Sequence, residues 1–171
     1  MSSLHQFRIE FVPAEDRLLF RMSTTDGSEV RLWFTRRLVK RAWPLLNTLL
    51  ERDPQVVTQS DPLARRSVVA FQRDAAVAQT DFSKKYETGE ARTLPLGDAP
   101  VLVTKLSATP TGNGHRLSFA PDKGNVVNIT LNAQYLHSFC HLLQQAVGKA
   151  DWDLAFGQHL ETPADQPRRL M

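Results

Sequence analysis

The sequence predicts an α+β fold: two pseudo-symmetric βββα units with antiparallel strands and an additional helix between them. Three observations predict it. Runs of apolar residues separated by glycine-bearing turns occur in two groups of three. Each group ends in a Thr or Asn followed by an apolar period of three to four, the signature of a capped helix. The two halves also match at individual residues.

In HQFRIEFV, Phe7, Ile9 and Phe11 alternate with Gln6, Arg8 and Glu10, the period of a half-buried strand. DRLLFRMS and EVRLWFT supply the next two strands, joined by a turn in which Gly27 after Asp26 provides the positive φ. Thr35 then stands where an N-cap belongs, ahead of a helix with Leu38, Ala42, Leu45, Leu46 and Leu49 as its apolar stripe. Pro44 removes one intrahelical hydrogen bond and predicts a kink or a split, and Asp53-Pro54 closes the helix. A further helix is expected over 62–82, with Asp61 as N-cap, Pro62 in the first helical position and a thin stripe of Leu63, Val68, Phe71, Ala75 and Ala78. KKYETGEARTLPLGDAP lacks any period and reads as a mobile linker.

PVLVTKLSATP, HRLSFAP and NVVNITL are three more strands, parted by the turn-formers TGNG and PDKG. Asn132 caps the last helix, expected over 133–147, with Leu136, Phe139, Leu143 and Val147 facing inward and Gly148 as C-cap. In the tail, Trp152, Leu154 and Phe156 are expected to dock and the last ten residues to be loose. The expected organisation is a first unit over 1–54, a linking helix and loop over 55–92, a second unit over 93–150 and a tail over 151–171, all in one compact domain.

The internal match runs through the second and third strands into the helix. RLLF at 17–20 aligns with RLSF at 116–119, and DGSEVRLWFT at 26–35 with KGNVVNITLN at 123–132. Gly27 pairs with Gly124, Val30 with Val127, Leu32 with Ile129 and Phe34 with Leu131. The caps Thr35 and Asn132 pair as well, and Leu45-Leu46 falls on Leu142-Leu143.

Composition narrows the class. The chain has 171 residues, 42% apolar and 23% charged, with 21 Lys and Arg against 18 Asp and Glu. A surplus of +3 permits an anionic partner without demanding one. Cys140 is the single cysteine, so no intramolecular disulfide can form, and a reducing compartment or simple indifference to redox follows. No apolar run reaches the length of a membrane helix, and the first residues carry no secretory pattern. The expectation is a soluble, bacterial-like cytoplasmic protein with no membrane role.

The densest chemistry lies in RLWFTRRLVKRAWPLL. Arg31, Trp33, Arg36, Arg37, Lys40 and Arg41 are the candidate binding residues for an anionic partner. Guanidinium forks pair with phosphate, and an indole face stacks on a base or a guanidinium. Arg37, Lys40 and Arg41 share a helix face by their spacing. Trp43 aligns with Cys140 of the second half and is read as packed rather than as a stacking platform. The second half offers Asn128, Ala133, Gln134, His137 and Ser138 at the matching positions, so the same architecture is expected to form without the charges. The charges then stand for solubility or for binding. Paired βββα units with a basic face resemble, in architecture, the single-stranded nucleic-acid binders of the PUR-repeat and Whirly type, which place four strands before each helix where this chain has three.

Other clusters are thinner. His137 and His141 stand four residues apart with Cys140 between them, a spacing that can share a metal ion, but no third ligand motif accompanies them. No phosphate loop, GxSxG serine or paired carboxylates stand out, so no catalytic residue, metal or cofactor is assigned. The functional expectation is a non-enzymatic binding protein that contacts single-stranded nucleic acid or an acidic protein through its basic helix. The alternative is a homo-oligomeric assembly or scaffold subunit without a nucleic-acid role.

Overall fold

Alternation in β1 and apolar-rich runs bounded by turn-formers give the three strands of the first unit: β1 (Leu4–Val12), β2 (Arg17–Thr24) and β3 (Glu29–Phe34). The computed structural model describes residues 4–79 and 93–154. The strands pair as an antiparallel meander, with Phe7 opposite Met22, Ile9 opposite Phe20 and Leu32 opposite Phe20 on the other side. Every one of these side chains falls on the same face. Gly27, at φ +85°, makes the turn before β3 as its lack of a Cβ allows.

Helix α1 (Arg36–Glu51) starts at Thr35, whose hydroxyl accepts the Leu38 N–H at 3.1 Å. Pro44 lies inside it, yet α1 runs as one helix and is not split. Pro44 and Lys40 are both exposed, so the carbonyl that loses its donor lies on the solvent side. Asp53 then caps a short helix, α2 (Pro54–Val57), by accepting the Gln55 N–H at 2.9 Å. Helix α3 (Pro62–Gln79) is capped by Asp61 as its sequence implies, with the Leu63 N–H donating at 3.2 Å. Its buried side differs from the expected stripe. Val69 and Ala76 are buried, whereas Leu63 and Phe71 are exposed. A thin apolar pattern leaves the helix free to rotate until its best-fitting residues meet the neighbouring helix.

The second unit consists of β4 (Val101–Thr111), β5 (Gly114–Pro121), β6 (Val127–Leu131) and α4 (Ala133–Ala150). The side chain of Asn132 accepts the Tyr135 N–H at 2.8 Å and starts α4. Helix α4 runs past Gly148, and the left-handed C-cap is Asp151 at φ 54°. Asp tolerates that conformation, so glycine is not required there.

Two meanders join edge to edge. β3 and β4 pair in parallel through Leu32–Val101 and Trp33–Leu102, giving one six-stranded sheet in the order β1-β2-β3-β4-β5-β6. The sheet is therefore mixed: antiparallel meanders dominate it, as expected, and one parallel pair joins them. A parallel neighbour needs a long crossover, and residues 35–100 supply it. The described residues form an α+β domain of six strands and four helices.

One sheet face carries the core. Phe20, Phe34 and Phe119 lie within 5.4–5.7 Å of one another, and Phe139 of α4 meets Phe20 edge-on at 5.6 Å. Buried residues fall at the same distances from the two caps: Val39, Ala42, Trp43, Leu46, Leu49 and Leu50 in α1, and Leu136, Phe139, Cys140, Leu143, Ala146 and Val147 in α4. The tail docks as expected for Trp152, which is buried beside Phe11, and for Leu154, which packs on the core. Phe156, the last ten residues and most of the expected mobile linker lie outside the described residues.

Candidate functional site

The six candidate residues divide between two surfaces. On β3, Leu32 and Phe34 face the helices and the core, so Arg31 and Trp33 project from the opposite face of the sheet. Arg36, Arg37, Lys40 and Arg41 lie on the exposed side of α1. The sheet separates the two groups. Trp33 is half-buried between Leu19 and Leu102 and cannot stack on a ligand held by the helix cations.

Arg31 is engaged within the fold. Its Nε donates to Glu29 Oε1 at 2.7 Å, and its Nη1 donates to Asp98 Oδ1 at 2.8 Å and to the Asp98 carbonyl at 3.1 Å. Glu29 is buried, at 2% exposure, and its hydrogen bond holds the Arg31 guanidinium above its ordinary basicity. A guanidinium shared between two carboxylates has little charge left to offer an anion.

The α1 cations are different. All four are exposed, and none forms an ion pair among the described residues. Arg36 reaches only a carbonyl, that of Asp153, at 3.4 Å. Glu51, in the last turn, is the sole acidic residue of α1. The first two turns thus present four cations to solvent, with no acidic residue on the same helix before Glu51.

Comparison with α4 explains part of this contrast. Lys40 and Arg41 match His137 and Ser138, both of which are buried. Helix α3 packs chiefly against α4, and its Arg73 lies close enough to lower the basicity of His137 and His141. The matching positions therefore lack charge because a helix lies against α4. Burial accounts for the difference at these two positions, whereas Ala133 and Gln134, which match Arg36 and Arg37, are not buried. Only the overall topology could reveal this, because α3 is distant from α4 in sequence.

The HSFCH cluster is interior. Cys140 is buried, and desolvation pushes its thiol up to about 12, so it stays protonated and unreactive. Burial is also the main cause lowering the basicity of His137 and His141. Among the described residues, no group of three or more His, Cys, Asp or Glu side chains could hold a metal ion. No described helix is long and apolar enough to cross a membrane. Comparison with protein-family models, with curated proteins and with solved structures finds no match, so the chemistry of this chain has to be read from its own residues.

Proposed function

We propose that the protein is a non-enzymatic binding protein that contacts an anionic partner through the exposed face of α1, with single-stranded nucleic acid as the case to test. One observation carries this reading: Arg36, Arg37, Lys40 and Arg41 are exposed on one helix without an ion-pair partner among the described residues. Arginine and lysine held this way bind phosphates by charge and release counterions. The contact surface is narrower than the sequence implies. Arg31 and Trp33 lie across the sheet and belong to the fold. The recurrence of three strands and a capped helix, with matching buried positions in α1 and α4, supports reading the two units as copies of one ancestral unit.

Fluorescence anisotropy with a labelled single-stranded oligonucleotide tests the reading between 50 and 200 mM salt. Four phosphate contacts on a single strand give a slope of log K against log salt of about −3. The Arg36→Ala, Arg37→Ala, Lys40→Ala, Arg41→Ala combined variant is expected to fold, because all four sites are exposed, and to lose that binding. Equal, negligible affinity in wild type and variant rules out the nucleic-acid partner.

A second reading, a homo-oligomeric assembly subunit, draws support from Val57, Leu63 and Phe71, large apolar side chains exposed around the α2–α3 corner. Light scattering across a concentration series separates the two. A monomer at every concentration removes the assembly reading.

A further inference from the structure

Helix α3 docks with a polar side inward. Arg66, Val69, Arg73 and Ala76 recur at intervals of three and four residues, so they share one face, and Val69 and Ala76 are the buried residues of α3. That face meets α4, the element against which α3 chiefly packs. Leu63 and Phe71 lie on the outer side, 53% and 74% exposed. The helix thus turns two arginines inward and leaves its largest apolar side chains in water, the reverse of the usual orientation.

The polar groups at this contact are incompletely paired. Among the described residues, Nε of Arg66, Oε1 of Gln72 and Nδ1 of His137 are buried without a hydrogen-bond partner. Each has given up hydration that its surroundings do not return. Little apolar burial offsets that cost, because α1 and α4 bury eight residues each where α3 buries two. Helix α3 is therefore the most weakly held of the three long helices.

Two titratable groups stand at the same contact. His137 and His141 lie on consecutive turns of α4, and burial is the largest cause lowering the basicity of both. Arg73 is close enough to each imidazole to oppose its protonation. Asp53, the cap of α2, favours protonation of His137, and Asp74 of α3 favours that of His141. Asp74 pairs with Arg73 at 3.3 Å but is 72% exposed, so water and salt screen its charge. Arg52, from the end of α1, and His115, from β5, border the same cavity as His137.

We propose that α3 is a pH-released helix. Protonation of His137 and His141 sets two cations against its arginine-bearing face and drives it off α4, while the sheet, α1 and α4 stay folded. The sign follows from proton binding. In the released state both imidazoles regain water and the ordinary value of about 6.5, so that state binds more protons than the docked one. Docking is complete above about pH 6.5 and weakens as pH falls below it. Release uncovers the α4 surface that bears both imidazoles, and His137 becomes an exposed cation at the position Lys40 holds in α1. The device does not depend on what α1 binds, and either reading can fail without the other.

Hydrogen–deuterium exchange of the full chain at pH 7.5, 6.5 and 5.5 tests the proposal, read as protection factors so that the pH dependence of intrinsic exchange cancels. The α3 amides should lose about tenfold or more of their protection over this range and end nearly unprotected, while β2 and β5 keep about a hundredfold or more. His141→Gln removes one titrating group and Arg73→Met removes the cation facing both. Each lies at a partly buried site and keeps an unbranched side chain, so the fold is retained where a His137 replacement endangers it. Both variants should shrink the loss, measured within each variant as the ratio of α3 protection at pH 7.5 to that at pH 5.5. Three results overturn the proposal: α3 protection unchanged down to pH 5.5; α3 and β2 equally protected at every pH, which makes the opening global; or the wild-type ratio in both variants.

Discussion

The indole Nε1 of Trp152 donates a 2.9 Å hydrogen bond to Oδ1 of Asp16, tying the segment after α4 to the β1–β2 turn 136 residues away. The same ring meets Phe11 edge-on at 6.2 Å. Asp16 holds φ at 50°, a left-handed conformation compatible with its short polar side chain. Trp152→Phe keeps a ring beside Phe11 and removes only the hydrogen bond, so it should cost about 1 kcal/mol in urea unfolding. Trp152→Ala also leaves a void and should cost about 3 kcal/mol. If Trp152→Phe unfolds at the wild-type midpoint, the link to Asp16 contributes nothing in solution.

Arg31 and the α1 cations should behave as two classes. Arg31→Gln weakens the charge balance of buried Glu29, and we expect a loss of about 2 kcal/mol. Single Gln replacements at Arg36, Arg37, Lys40 and Arg41 should each stay within about 0.5 kcal/mol of wild type, as exposed unpaired positions do. Thermal unfolding of the five variants decides the matter. A neutral Arg31→Gln contradicts the structural role assigned to this arginine.

Gly114 admits no side chain. A Cβ there would stand 2.1 Å from the carbonyl oxygen of Leu131, a backbone atom that cannot swing aside. Gly112, two residues earlier in the same turn, has open space around it. Gly114→Ala should therefore cost about 3 kcal/mol through displacement of β6, while Gly112→Ala stays near neutral. Similar stability of the two variants in chemical denaturation counts against the packing of β5 on the end of β6.

Stability should fall as the solution is acidified. His115, His137 and His141 are all less basic in the folded chain than in the unfolded one, chiefly through burial. Between the unfolded value of about 6.5 and the lower folded values, the unfolded chain binds more protons. The stability associated with the neutral imidazoles is thus present in full above about pH 6.5 and lost as pH falls through the folded values. Unfolding midpoints measured from pH 7.5 to pH 5 should show this decline, with a shallower slope in His141→Gln. A profile that rises on acidification contradicts the burial of these imidazoles.

Local features were legible in the sequence because neighbouring residues decide them. The alternation of Phe7, Ile9 and Phe11, the turn at Gly27, and the caps at Thr35, Asp61 and Asn132 all appear where backbone sterics and side-chain oxygens require them. Trp43 was legible as interior through its match with Cys140, and it is 4% exposed. The α3 stripe was not legible. Its few apolar residues are compatible with more than one rotation, and the surface of α4 selects the one that buries Val69 and Ala76.

The candidate site shows the same division. Residue spacing alone determined that Arg37, Lys40 and Arg41 share a face of α1, and that face is exposed. Strand alternation alone implied that Arg31 and Trp33 oppose Leu32. Only the tertiary structure decided that α1 covers the Leu32 face, which puts the sheet between Trp33 and the helix cations. It also decided that Asp98, 67 residues away, reaches Arg31, and that α3 lies mainly over α4 while the basic face of α1 stays exposed. Periodicity and capping are set by residues a few positions apart, so the sequence by itself determines six strands, the capped starts of α1, α3 and α4, and the inward faces of α1 and α4. Which faces meet depends on contacts between distant segments, and these are settled only when apolar surfaces compete for burial in the folded chain.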